Sequence, residues 1–148
     1  MNEPRMVWEL LVQKAERRVH DARLALSQSE AQHAQIQASL QRLQAMTEEY
    51  RTRHQRVQEG AHSMQETLDH RIFMDQLGRL SAQVEAQAAR MQLQCQQARM
   101  ELQAADQELR KNTKLHEVQL GSWRKQQASR EQRGLDEIAL RRFTWQEG

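Results

Sequence analysis

Little in this chain breaks a helix, and little in it builds a sheet. One proline and five glycines stand among 148 residues, and aromatic residues make up only 4%. The β-branched residues that favour a pleated, half-buried surface are scarce, so a sheet has no material. Nowhere do 18 uncharged apolar residues occur together, which excludes an ordinary membrane-spanning helix. Residues 1–8 carry no apolar run of the targeting kind. Cys95 is alone, so an internal disulfide is impossible, and its type suits a small apolar place in a reducing compartment. These absences describe a soluble cytoplasmic protein that meets a membrane only through partners.

Chemical motifs are missing as well. The chain has no GxxxxGK[ST], no GxGxxG and no GxSxG, so nucleotide binding and acyl transfer lack their backbone elements. Histidines stand at 20, 33, 54, 62, 70 and 116, with no pair at helical ligand spacing and no second cysteine nearby. No catalytic residue, metal site or cofactor is expected, and the reading is of a protein that is not an enzyme.

What is present is helix former. Glutamine and alanine supply 24 and 17 residues. From Trp8 to Val57 the positions Trp8, Val12, Ala15, Val19, Ala22, Leu26, Ser29, His33, Ile36, Leu40, Leu43, Thr47, Tyr50, His54 and Val57 follow steps of four and three without a break. A mean step of 3.5 keeps one seam of a helix against a partner helix, the rule of a left-handed coiled coil. Pro4 suits the first helical position, where its missing N–H costs nothing. Gly60 supplies a stop, and Arg51, Arg53 and Arg56 complement the negative end of the dipole.

Gly60-Ala61-His62 reads as the turn. Ser63 and Glu66 have capping-box spacing, with Asp69 an alternative cap three residues after Glu66. The second seam reads Phe73, Leu77, Leu80, Val84, Ala88, Met91, Cys95, Ala98, Leu102, Ala105 and Leu109, with a stutter of two fours at Leu80, Val84 and Ala88. Beyond Leu109 it loosens, passing through Asn112 or Thr113 to His116, Leu120 and Trp123, and Gly121 and Gly134 weaken the helix by about 1 kcal/mol each. If the halves fold back, opposed residues have numbers totalling about 123 or 124, which sets Tyr50 against Phe73, Leu26 against Ala98 and Ala15 against Leu109. The expected fold is all-α, two long helices in an antiparallel left-handed coiled-coil hairpin. Residues 1–59 form helix one, 60–68 the turn and 69–123 the paired part of helix two. Residues 124–148 are then an overhanging C-terminal helical tail, whose Leu135, Ile138, Ala139, Phe143 and Trp145 have no seam partner and signal a binding surface.

The small net charge of +2 is unevenly spread. Residues 66–109 carry four arginines against seven acids, and residues 110–133 carry seven Lys or Arg against two Glu. The basic segment suits an acidic protein surface or phosphates, in a salt-sensitive way. As a nucleic-acid-binding coiled coil it lacks interleaved aromatics apart from Trp123 and has few charges for tracking a phosphate backbone, so no nucleic-acid partner is expected.

Five stretches together resemble one family: LLVQKAERRVHDARLAL, LQRLQAMTEEYRTR leading into the turn, FMDQLGRLSAQV opening helix two, SWRKQQASREQ, and RGLDEIALRRF. In order and spacing, over nearly all of residues 5–145, they are similar to FliJ, the coiled-coil protein of the bacterial flagellar type III export apparatus. The resemblance implies an antiparallel coiled coil similar to the central stalk of rotary ATPases, serving flagellar biogenesis and motility. Such a stalk inserts into the hexameric export ATPase ring, promotes its assembly, links it to the transmembrane export gate, and binds export chaperones. Carried across, the gate contact involves Leu43, Met46, Tyr50, Phe73, Leu77 and Leu80, with Met46 where some members have an aromatic. By analogy with the rotary stalk, Trp8, Leu11, Trp123, Leu135, Ile138, Arg141 and Arg142 meet the ATPase ring. The equivalent stalk of a virulence-type secretion system shares this architecture and is the close alternative.

Overall fold

The computed structural model describes residues 4–58 and 63–147, and it contains two helices that pack against each other, α1 (Pro4–Gln58) and α2 (Met64–Glu147). Among the described residues there is no strand. Pro4 is the first helical residue, where its fixed φ and missing N–H are no handicap. The second helix starts from Ser63, whose Oγ accepts a hydrogen bond from the Glu66 backbone N–H at 3.2 Å while its carbonyl accepts one from Thr67 N at 3.4 Å. Asp69 lies inside that helix, accepting a bond from Gln65 Nε2 at 3.2 Å, so the cap is Ser63. The expected turn at Gly60-Ala61-His62 falls outside the described residues. Helix α2 runs unbroken through Gly78, Gly121 and Gly134. The glycine cost at these positions is small beside the propensity of the Gln, Ala, Leu and Arg residues around them.

The chain divides into two compact units, Ala22–Leu102 and Met1–Asp21 with Gln103–Gly148. Within the unit 22–102, every α1 position of the four-three series from Ala22 to His54 is buried or half-buried, and most positions between them are exposed. Its core is Ala22, Leu77, Ala88 and Cys95. The Tyr50 and Phe73 rings lie 4.7 Å apart, the His54 and His70 rings stack at 3.7 Å, and Arg99 reaches Glu30 at 3.5 Å. Rising numbers on α1 thus meet falling numbers on α2. In the other unit the core is Ala15, Val19 and Ala105, and Arg18 pairs with Glu108. The wholly covered residues are mostly small, because a lone partner helix covers a methyl group completely and a leucine only in part. Burial at about 0.8 kcal/mol per CH₂ is therefore spread thinly along the seam.

The α2 seam differs from the expected one at its start. Apart from Asp106, the covered or half-covered positions as far as Leu109 are Thr67, His70, Met74, Leu77, Ser81, Val84, Ala88, Met91, Cys95, Ala98, Leu102, Ala105 and Leu109, an unbroken alternation of three and four. Phe73 and Leu80 flank this line, 36% and 46% exposed, while Met74 and Ser81 hold the seam. The stutter inferred from Leu80, Val84 and Ala88 is absent. The physical reason is that α1 keeps a strict 3.5 step, and a facing helix stays in register with it only by doing the same. Polar seam residues are satisfied locally: Thr47 Oγ1 donates to the Leu43 carbonyl at 2.7 Å, and Gln37 Nε2 lies 3.4 Å from His33 Nε2. Partial cover then continues through Asn112 and Thr113, His116, Leu120, Trp123 and Gln127, further than the expected limit near Trp123.

Candidate interaction surfaces

Side chains that hold the helices together are not free to hold a partner, so burial sorts the candidates. In the unit 22–102, Leu77 is only 6% exposed and sits in the core. Leu43 and Tyr50 are half-buried, and Tyr50 is engaged on two sides, by Phe73 with its ring tilted 53° and by the Arg53 guanidinium 5.7 Å from its centroid. Arg53 itself is held by Glu49 at 2.9 Å. Met46, Phe73 and Leu80 are the candidates of this group with substantial exposed surface. Tyr50 and Phe73 are brought together as expected, whereas Leu77 is not part of any exposed surface.

Sequence reasoning passed over three neighbours. Met64, Leu68 and Ile72 are exposed at 92%, 50% and 49%, and their i, i+4, i+8 spacing lays them along one face of α2. That spacing was visible in the sequence but reads equally as a seam, and only the position of the true seam shows that these residues point elsewhere. The His54–His70 contact was also missed, since the two are far apart on the chain and share no ligand spacing. Burial pushes the His70 pKa below the usual histidine value, and the nearby His54 charge lowers it further.

In the other unit the candidates divide in the same manner. Trp8 and Trp123 are half-buried on their seams, and Leu11 is 39% exposed. From residue 128 to residue 145 every side-chain-bearing position is exposed. Ile138, Arg141, Arg142 and Trp145 line one open cleft, with Leu135 at 61%, Ile138 at 50%, Phe143 at 59% and Trp145 at 87% exposure. On a 3.6-residue helix Trp145, Ile138, Arg142, Leu135, Ala139 and Phe143 fall on a single face, so Arg142 stands in the middle of an apolar strip. A strip of this kind suits a groove that is apolar and carries a carboxylate. Met6, Val7 and Leu10 are further exposed apolar residues of this unit that the sequence reading did not single out. His116 Nδ1 is covered and has no hydrogen-bond partner.

Among the described residues no group of three His, Cys, Asp or Glu is placed to hold a metal ion. Nor is any described helix long and apolar enough to cross a membrane. Comparison with protein families is decisive: the family model described as the flagellar FliJ protein matches residues 8–148. This chain belongs to the FliJ family. Comparison with curated proteins and with solved structures gives no match. Membership ties the chain to flagellar protein export, and the FliJ match runs through both helices and the exposed end of α2.

Proposed function

We propose that this FliJ-family chain is a non-catalytic stalk of the flagellar export ATPase, built as an antiparallel left-handed coiled-coil hairpin. In this reading α1 and residues 64–127 of α2 pair about a bend in the sixties, with α2 entering at Met64 and not at residue 69, and residues 128–147 overhang. The overhang, with Trp8 and Leu11, enters the ATPase ring and promotes its assembly. The end near the bend meets the transmembrane export gate through Met46, Phe73 and Leu80, with Leu43, Tyr50 and Leu77 holding those residues in place. Export chaperones that have released their cargo are received along the same stalk. The protein works in the cytoplasm and reaches the inner face of the membrane through these partners.

The observation that carries the reading is the uncovered apolar and arginine-bearing face of Leu135, Ile138, Arg142 and Trp145. A finished two-helix core leaves such a face only where something else covers it. Support for the bend end comes from Leu80 lying off the seam and from Phe73 keeping exposed surface while its ring packs on Tyr50, since exposed surface is what a gate can reach. Any effect on ATP hydrolysis arises by shifting populations of ring subunits, because the stalk carries no reacting group.

The test is co-purification with the hexameric export ATPase. The full chain is expected to recover it, and a chain lacking residues 128–148 is expected to keep its helicity and lose the ATPase. Equal recovery by both chains overturns the tail assignment. Changing Met46, Phe73 and Leu80 together to Ala is expected to weaken gate binding and leave ATPase binding unchanged. Loss of both, in a variant that melts like the parent, overturns the division of surfaces.

A further inference from the structure

The His54–His70 contact has no part in the proposed stalk, yet its geometry is specific. The two imidazoles lie face to face, centroids 3.7 Å apart and planes within 3° of parallel, and both side chains are half-buried. Neutral rings tolerate such a stack, and a neutral ring tolerates an imidazolium against its face. Two imidazolium rings do not, because two unit charges at about 4 Å repel strongly wherever water is partly excluded.

The charged groups around the pair do not cancel that repulsion evenly. On α1, Arg51 lies one turn before His54 and is bonded to Glu48 at 3.4 Å, and Arg53 is held by Glu49 and the Tyr50 ring. On α2, Glu66 lies one turn before His70, Asp69 is engaged by Gln65, and Arg71 follows directly. Glu48 and Glu49 offset Arg51 and Arg53, so Arg56 and Arg71 add to the cost of a second proton, and Glu66 and Asp69 reduce it. Deeper along the unit the seam histidine is His33, which stands without a second histidine ring against it and has Gln37 as its neighbour.

We propose that the His54–His70 stack is an acid-released latch, which holds the ends of α1 and α2 together while one ring stays neutral and lets them part when both are protonated. The depressed pKa of His70, caused by burial first and by His54 second, points the same way. For a histidine whose folded-state pKa lies below its unfolded value of about 6.5, the stabilisation is present above that value. It is lost as pH falls from there through the lower folded-state pKa. The opening is local, because the seam beyond Thr47 and Leu77 is held mainly by apolar cover, and its histidine, His33, has no second histidine ring against it.

Hydrogen exchange on the full-length chain at about pH 7.5 and about pH 5.5, compared as protection factors, tests the latch. Residues 48–56 and 64–73 are expected to lose at least about threefold more protection on acidification than residues 26–40 and 84–98. His54→Gln and His70→Gln are each expected to abolish that excess, with His33→Gln leaving it in place. A uniform loss along the unit, or an excess that survives both single changes, overturns the proposal. A second readout does not depend on how well the variants hold the end closed. In a ring-carbon NMR titration of the parent chain, His70 is expected to titrate below the ordinary histidine range and to move upward in His54→Gln. A His70 midpoint unmoved by His54→Gln likewise overturns the proposal.

Discussion

Residues 64–127 and 128–147 of α2 belong to one helix, yet they answer to different forces. In the first stretch a position is covered every three or four residues, and Leu77, Ala88, Cys95 and Ala105 are buried. In the second, leucine, isoleucine, phenylalanine and tryptophan side chains all stand in water, and among residues 128–145 only Gly134 is partly covered. The second stretch stays helical on propensity and local bonds, such as Gln132 to Asp136 at 3.2 Å and Thr144 Oγ1 to the Leu140 carbonyl at 2.8 Å. The difference teaches that continuity of a helix and its burial are separate properties.

The contrast breaks most visibly if a charge is placed in each stretch. Ala105→Asp puts a carboxylate at a wholly covered seam position without a partner and is expected to cost about 2–4 kcal/mol and much of the helicity. Leu140→Asp, at a position 65% exposed, is expected to stay within about 0.5 kcal/mol in the same thermal melt. Equal effects would mean that the two stretches are not differently covered.

The boundary between seam and flank is sharpened by a gentler pair. Leu77→Ala is expected to destabilise by about 2–3 kcal/mol in urea titration, and Leu80→Ala by less than about 1 kcal/mol, although both remove the same atoms. A reversed order would restore the register that places Leu80 on the seam. Gly134→Ala comes next, in the bare stretch. A Cβ there meets nothing within 4 Å, so the tail helix is expected to gain about 0.5–1 kcal/mol, read as slower amide exchange over residues 130–140. The smallest effect belongs to Arg18 and Glu108, whose side chains are 43% and 46% exposed. A double-mutant cycle is expected to give about 0.2–1 kcal/mol, shrinking in high salt.

Much of this was legible in the residues themselves. The α1 seam follows the four-three series from Trp8 to His54, the helix begins at Pro4, and Ser63 caps the second helix. The exposed Leu135, Ile138, Phe143 and Trp145 were visible as apolar residues left over after the seam was matched, whereas Arg141 and Arg142 entered only through the family resemblance. Other features were not legible. Leu80 beside Ser81 is ambiguous by hydrophobicity, and the apolar choice was the wrong one because register is settled by the partner helix and not by the side chain alone. The length of the cover, to Gln127, and the passage through Gly121 were obscured by polar and glycine residues that a long, otherwise favourable helix absorbs.

By itself the sequence determined that the chain is helical, where its first helix begins, and which face of that helix is apolar, because propensity, capping and period are local properties of the residues; the second helix begins at Met64, before the residue 69 that the sequence suggested. Only the tertiary structure decided which line of α2 faces α1, that Leu77 is core while Leu80 is surface, and that His54 meets His70. Those outcomes depend on two distant segments lying side by side, and the strict 3.5-residue step of one helix imposes its register on the other.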